Sequence, residues 1–129
     1  MRLAMSALVV TLALAGCSNP NDPSSDLLRA SASNRTLEVE NTSSDRVYYF
    51  AVDKNTLALL DWAACIEPAN PNCKSLDGGQ TERISYSDIF GTDEDGGGST
   101  AVIYHWRLIP VGAGKYKIDS IRNLEVELR

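Results

Sequence analysis

The sequence predicts an all-β domain built as an antiparallel sandwich, with a small barrel as the alternative. Several short segments alternate apolar and polar residues with a period of two, and turn-forming residues separate them. Almost no segment favours a helix convincingly. This spacing predicts six or seven strands, the number that a single sandwich of modest size uses.

The first two predicted strands form a hairpin. Thr36–Asn41 alternates regularly, residues 42–45 supply the turn, and Arg46–Asp53 is rich in aromatic and β-branched residues. Alternate side chains of a strand share a face, so each of these strands has one apolar face. The side chains predicted to face the core are Leu37, Val39, Tyr48, Phe50 and Val52.

The segment Leu57–Trp62 is ambiguous between strand and helix. Its residues favour a helix by intrinsic propensity, yet the run is short and leads directly into a loop bounded by cysteines. We predict a third strand here, with Ala58, Leu60 and Trp62 facing inward, and we keep the helix as the alternative.

The middle of the chain contains a turn, an edge strand and an apolar corner. The turn is Leu76–Gln80 and the strand is Thr81–Tyr86, in which Ile84 packs on the core. Asp88–Gly91 is predicted to be a tight turn or a single helical turn. The acidic, glycine-rich residues 92–99 are predicted to form a loop, because they include no large apolar side chain that could pack on the core.

The clearest strand runs from Ala101 to Ile109 and ends at Pro110. The side chains predicted to face the core are Val102, Tyr104, Trp106 and Leu108, and those predicted to face away are Ile103, His105 and Arg107. A returning strand over 115–120, with Tyr116 and Ile118 inward, and a last strand over 124–128 complete the domain. The apolar phase shifts near Ser120, where we expect a bulge or corner.

Two segments of the β-domain carry a resemblance to known proteins. Asn41–Phe50, followed by the turn over Leu76–Thr81, is similar in outline to small exported proteins with an immunoglobulin-like fold. The resemblance implies an immunoglobulin-like sandwich, which is the form of sandwich that we favour.

The N-terminal residues resemble the signal peptide of bacterial lipoproteins. A basic residue, Arg2, precedes an apolar run over Leu3–Ala15, and Leu14-Ala15-Gly16-Cys17 closes it. The run has 13 residues, whereas crossing a bilayer takes about 20. The tetrapeptide resembles the lipobox of that family. This implies that the Cys17 thiol receives a diacylglyceryl group, that the chain is cut before Cys17, and that the new amine is acylated.

The lipobox divides the chain into three predicted parts. Residues 1–16 are a signal peptide that is removed, residues 17–35 are the lipidated cysteine and a flexible tether, and residues 36–129 are the β-domain. The apolar pair Leu27-Leu28 leaves a short helical turn or a docked segment as the alternative within the tether. In Gram-negative members of the family, an aspartate after the cysteine favours the inner membrane. Ser18 therefore implies the outer membrane, with the domain facing the periplasm.

The mature chain is acidic. Arg2 is lost with the signal peptide, so 11 basic residues face 17 acidic ones and the formal charge is −6. Such a surface repels phosphate groups, which excludes nucleic acid as a partner, and it attracts basic proteins.

Cys65 and Cys73 remain as a pair once Cys17 carries the lipid. An exported chain meets an oxidising compartment, so we predict a structural disulfide between them. A zinc site would need further cysteine or histidine ligands, and the chain has a single histidine, His105.

No catalytic, metal or cofactor site is predicted. A serine–histidine pair would have to use His105, which we expect to be an ordinary surface or second-face residue, and no Gly-x-Ser-x-Gly elbow accompanies it. Aligning the acidic loop at Gly96 with a calcium loop places Gly91 and Val102 where acidic ligands belong. Trp62 and Trp106 are interpreted as core residues rather than as a platform for a sugar.

These observations predict a lipid-anchored module of the cell envelope that binds proteins or has a structural role and is not an enzyme. Its expected partners are the membrane, through the lipid, and an envelope or secreted protein. Asp93, Glu94 and Asp95 are the candidate partner-binding residues. The alternative is an inhibitor of a protease or of a basic hydrolase such as lysozyme, since an acidic loop suits a basic enzyme.

Overall fold

The computed structural model describes residues 22–90 and 99–128. Within these residues the backbone forms nine strands and two short helices, and the strands pair only in antiparallel fashion. The elements are β1 (Leu28–Ser33), β2 (Thr36–Asn41), β3 (Val47–Asp53), α1 (Lys54–Leu57), β4 (Ser75–Leu76), β5 (Thr81–Ser85), α2 (Tyr86–Phe90), β6 (Thr100–Trp106), β7 (Leu108–Gly112), β8 (Lys115–Ile118) and β9 (Arg122–Glu127).

The strands are arranged in three sheets. The first sheet has the order β1-β2-β5, the second sheet has the order β4-β3-β6-β9, and β7 and β8 form a separate hairpin. The prediction of a chain dominated by antiparallel strands is confirmed. Of the two forms expected for the segment that starts at Asp88, a tight turn or a single helical turn, the structure has the helical turn, α2, which begins two residues earlier.

Both larger sheets contribute side chains to one core. Leu37 and Val39 point into it from the first sheet, as predicted, and Ile84 joins them from β5. Alternation explains this arrangement, because the polar neighbours Glu38 and Arg83 lie on the exposed face. The buried members of the core are Leu27, Leu28, Ala30, Leu37, Val39, Val47, Tyr49, Leu76, Ile84, Tyr86, Ala101, Ile103, Leu124, Val126 and Leu128.

The predicted tether over 17–35 is wrong in its last third, because Leu28–Ser33 is a strand of the first sheet. Leu28 and Ala30 are buried, while Arg29 between them is only partly so. A two-residue turn, Asn34-Arg35, connects β1 to β2 with positive φ at both positions. This backbone matches the right-handed twist of a hairpin, although Asn-Arg is not a typical turn pair. The alternative of a docked segment at Leu27-Leu28 agrees with the structure.

The prediction of which face of the second sheet points into the core is also wrong. The core receives Val47, Tyr49 and Ile103, which belong to the opposite face from Tyr48 and Trp106. The predicted face is nonetheless buried, since Tyr48 is 4% and Trp106 2% exposed. Because the second sheet is covered on both sides, its alternation does not reveal which side faces the first sheet.

A loop over residues 58–74 covers this second face in place of the strand predicted at Leu57–Trp62. The chain forms the short helix α1 and then continues without regular structure, and Leu60 is 43% exposed rather than inward. The Trp62 ring stacks on Phe50 at 5.1 Å and lies 4.7 Å from Tyr104, between ring centroids. Trp62 therefore packs on the domain as predicted, but from a loop.

The disulfide between Cys65 and Cys73 is confirmed, with their Cα atoms 5.7 Å apart. It closes the end of the loop beside Trp106, whose Nε1–H donates to the Cys65 carbonyl at 2.9 Å. We call residues 58–74 the disulfide loop.

The strand predicted over 101–109 is divided at Arg107. β6 ends at Trp106, and the chain leaves the second sheet to form the hairpin of β7 and β8 before β9 returns to it. Tyr116 was predicted to face inward and is instead 37% exposed. The expected corner near Ser120 is present as the connection between β8 and β9.

Candidate functional site

The chain enters the domain at one end, which we call the tether end. Two contacts fix the entering segment to the second sheet: Ser25 Oγ lies 2.7 Å from His105 Nε2, and Asp26 forms an ion pair with Arg122 at 2.8 Å. The opposite end, where β3 runs into α1 and β6 begins, we call the far end. About 23 Å separate the two ends, the length of a seven-residue strand.

His105 is buried, so the surface placement offered for it is wrong, whereas it does lie on the face of β6 opposite Trp106, as predicted. It is 0% exposed, and its Nδ1 lies 3.1 Å from the Ile103 carbonyl oxygen. Because a carbonyl only accepts, Nδ1 carries the proton and Nε2 accepts from the Ser25 hydroxyl. The Ser25 oxygen in turn accepts from the backbone N–H groups of Leu27 and Leu28.

Burial lowers the pKa of His105 below its ordinary value of 6.5, and the positive charge of Arg122 acts in the same direction. The Ile103 carbonyl, Asp26 and Asp119 act in the opposite direction but do not outweigh burial. The imidazole is therefore neutral near pH 7. The Nδ1 atom of His105 is hydrogen-bonded to a backbone carbonyl and not to a carboxylate, and its Nε2 is held by the Ser25 hydroxyl. Ser25 and His105 therefore do not have the geometry of a catalytic nucleophile with its base.

Beside the contact between Ser25 and His105, a cluster of carboxylates and guanidinium groups holds the hairpin of β7 and β8 to the domain. The Arg107 backbone N–H and Nε each lie 2.9 Å from an Asp119 oxygen, and Arg122 reaches Asp119 at 3.2 Å. Arg107 also pairs with Asp45 at 3.0 Å. Burial alone would raise the pKa of Asp119. Hydrogen bonds from the backbone N–H groups of Arg107 and Ser120 and from the two guanidinium groups outweigh it, and they hold this pKa well below its usual range.

Two adjoining grooves lie between the hairpin and the disulfide loop at the tether end. One has a volume of about 530 Å³, the other about 460 Å³, and Pro68 and Tyr116 line both. Charged side chains of both signs line them: Asp45, Arg46 and Arg107 in the first groove, and Glu67 and Lys115 in the second. Apolar walls with a few polar groups at the rim are typical of binding surfaces.

The far end presents two leucines on the disulfide loop. Leu59 is 84% and Leu60 43% exposed, directly after α1 and shortly before the stacked Trp62. Backbone hydrogen bonds from Leu59 and Leu60 to the carbonyls of Thr56 and Leu57, at 2.9 and 3.2 Å, order this turn. These two large exposed side chains form an apolar patch on an ordered turn, which we call the leucine knob.

Asp53 directly precedes α1 and is only 6% exposed. Its Oδ2 accepts from the Thr56 hydroxyl at 3.0 Å, whereas Oδ1 has no hydrogen-bond partner in the described part of the chain. One carboxylate does not make a cation site, and residues 22–90 and 99–128 contain no group of three side chains suited to hold a metal.

Only some of the predicted site residues belong to the part of the chain that the structure describes. The structure brings Cys65 and Cys73 together, while Cys17 and the acidic residues Asp93, Glu94 and Asp95 lie outside the described residues. Sequence reasoning missed the grooves and the leucine knob, because Tyr116 and Leu60, which contribute to them, were predicted to face inward. The turn-forming residues Val111-Gly112-Ala113-Gly114 were the indication in the sequence of the hairpin that β7 and β8 form.

No family model, no curated protein and no solved structure matches the chain. Over the described ranges, the helices are too short and too polar to cross a membrane.

Proposed function

We propose that this protein is a lipid-anchored module of the cell envelope that binds another protein and catalyses no reaction. The lipobox at Leu14-Ala15-Gly16-Cys17 supports the anchor, and Ser18 supports an outer-membrane location in a Gram-negative envelope. The buried, hydrogen-bonded state of His105 supports a role without catalysis, since a substrate would have to displace Ser25 to reach Nε2.

We also propose that the domain is an immunoglobulin-like sandwich. The support comes from the strand orders, because β1-β2-β5 and β4-β3-β6-β9 contribute to one core and the chain crosses between them after β2, β4 and α2. With the hairpin counted as an insertion between β6 and β9, seven strands remain, which is the number in the simplest domains of that class.

The leucine knob is the observation that carries the binding function. Leu59 and Leu60 are exposed on a loop that a disulfide and a stacked tryptophan hold in place. The loop therefore loses little further conformational entropy when a partner binds. The knob points away from the anchored end, which makes it accessible to a partner. The partner chemistry that fits it is an apolar pocket in an envelope or secreted protein.

Photo-crosslinking in the native membrane tests this function. A photoreactive amino acid at Ala58, beside the knob, is expected to capture one dominant envelope protein. The double variant Leu59→Ser/Leu60→Ser should abolish that product, whereas the control Ile121→Ser, which changes another exposed apolar side chain at the tether end, should keep it. An unchanged product in the double variant, or no product in the parent, contradicts the proposal.

The alternative function is inhibition of a protease or of a basic hydrolase such as lysozyme. The formal charge of −6 favours a basic target, and Asp93, Glu94 and Asp95 remain the proposed contact residues. The purified protein should then block the enzyme at near-stoichiometric amounts, and Asp93→Lys should weaken the block at low salt. Full enzyme activity across a panel of such hydrolases excludes this alternative.

A further inference from the structure

The hairpin of β7 and β8 combines an apolar tip with positive charge on a protein that is otherwise acidic. Val111 is 54%, Ile109 39% and Tyr116 37% exposed. Lys115 and Lys117 flank Tyr116, and residues 108–118 contain no aspartate or glutamate. Neither lysine forms an ion pair within the described residues. The hairpin itself is therefore cationic and apolar, and the one acidic side chain of the disulfide loop that lines a groove with Lys115 and Tyr116 is Glu67.

This hairpin leaves the second sheet at the tether end. Its base is fastened through Arg107 and Asp119 to Arg122, and Arg122 holds Asp26 of the entering segment. Five residue-to-residue steps lead from a lipid-bearing Cys17 to Asp22, and they span at most about 18 Å when fully extended. An anchor so close keeps the tether end next to the lipid headgroups and leaves the far end directed away from them.

We propose that the hairpin docks on the surface of an anionic phospholipid bilayer, with the side chain of Val111 at the boundary between headgroups and acyl chains. Apolar side chains enter that boundary, while Lys115 and Lys117 pair with lipid phosphates. The inference rests on the proposed lipid anchor and deepens it, because the bilayer becomes a binding partner of the folded domain. The grooves at Tyr116 then face the lipid, and the leucine knob projects towards protein partners.

A protein occupant of the same surface is less well supported. The lipid is already within reach through the anchor, so docking needs no separate encounter, and the sign of the hairpin charge matches anionic headgroups. A protein partner would have to enter the narrow space between the domain and the membrane.

Tryptophan quenching by brominated lipids tests the docking. The full-length lipidated protein is reconstituted into vesicles of phosphatidylethanolamine and phosphatidylglycerol, with bromine on the acyl chains. Val111→Trp places a reporter at the hairpin tip, and Leu59→Trp places a matched control at the far end. Quenching is measured as the increment over the parent, which contains Trp62 and Trp106. The mass of each preparation is checked for the lipid beforehand.

The proposal predicts strong quenching at position 111 and none at position 59. Adding Lys115→Glu and Lys117→Glu should shift the equilibrium away from the docked state by at least roughly fivefold for each substitution, because each one removes a positive charge and adds a negative one. Vesicles without phosphatidylglycerol should quench less. If the lipidated protein shows equal quenching at both positions, or none at position 111, the docking is refuted while the anchor stands. If the protein carries no lipid at Cys17, both the docking of the hairpin and the lipid anchor are refuted.

Discussion

At the residue scale, Asn41 joins the two larger sheets through one amide. It is 0% exposed at the end of β2, and its Nδ2 donates to the carbonyls of Asp45 and Leu76 at 2.7 and 2.9 Å. Its Oδ1 accepts from the backbone N–H and the hydroxyl of Ser43 at 3.0 and 2.7 Å. The side chain therefore shapes the chain as it crosses from the first sheet to the second.

Removing this amide should destabilise the domain strongly. Asn41→Ala leaves the buried Leu76 carbonyl without its donor, and we expect the free energy of unfolding to fall by about 2–3 kcal/mol. The matched control is Asn123→Ala on the exposed face of β9, which should change it by less than about 0.5 kcal/mol. Urea denaturation of both variants measures the difference, and equal stabilities would contradict the role given to Asn41.

His105 makes stability depend on pH in a predictable direction. Its pKa is lowered in the folded protein from 6.5, so the unfolded chain takes up the proton first as the pH falls. Above about pH 6.5 the imidazole is neutral in both states and contributes nothing to the pH dependence. Below it, stability should decline by at most about 1.4 kcal/mol per pH unit until the pKa of the folded state is reached.

Denaturation series from pH 7.5 to pH 5 measure this slope. His105 is the sole histidine, so His105→Gln should leave the stability nearly constant over that range. The low pKa of Asp119 acts in a separate range, since its stabilisation is lost only as the pH falls below about 4. A parent protein without a slope between pH 6.5 and pH 5 would show that burial does not govern His105.

At the element scale, the disulfide loop takes the place of a third strand. Sequence reasoning identified the bridge and the inward Trp62, but it assigned Leu57–Trp62 to a sheet. Local propensity does not distinguish a strand from an irregular segment that packs through one tryptophan, because the stabilising contacts with Phe50 and Tyr104 are distant in sequence.

Breaking the bridge should loosen this loop. A sequence separation of 8 corresponds to about 2.5 kcal/mol of stabilisation in the chain-entropy account. Cys65→Ser/Cys73→Ser should lose about that much, and the fluorescence of Trp62 should shift to longer wavelength as it leaves Phe50 and Tyr104. Unaltered emission together with unaltered stability would indicate that stacking alone holds the loop.

Strand β1 shows a second limit of sequence reasoning at this scale. Leu-Arg-Ala-Ser-Ala-Ser has one large apolar side chain, and small residues at Ala30 and Ala32 give little signal of burial. The strand is stabilised by its pairing with β2 and by contacts of Ser25 and Asp26 with the second sheet. None of these partners could be identified from local composition, so the segment was predicted to be part of the tether.

At the scale of the whole molecule, the two ends of the domain have different surfaces. The tether end has the grooves, the hairpin lysines and the ion pairs around Asp119, whereas the far end has the leucine knob. The class of fold could be predicted because alternation and turn signals recur along the chain. The two surfaces could not, because they depend on which face of the second sheet meets the first, and both faces are apolar.

The proposed arrangement of these surfaces depends on a lipid at Cys17, and intact mass spectrometry of the protein extracted from its native membrane tests that directly. We predict a chain of 113 residues that begins at Cys17 and carries the added mass of a diacylglyceryl group and an amide-linked acyl chain. A chain that still begins at Met1, or one with an unmodified thiol at Cys17, would contradict the account.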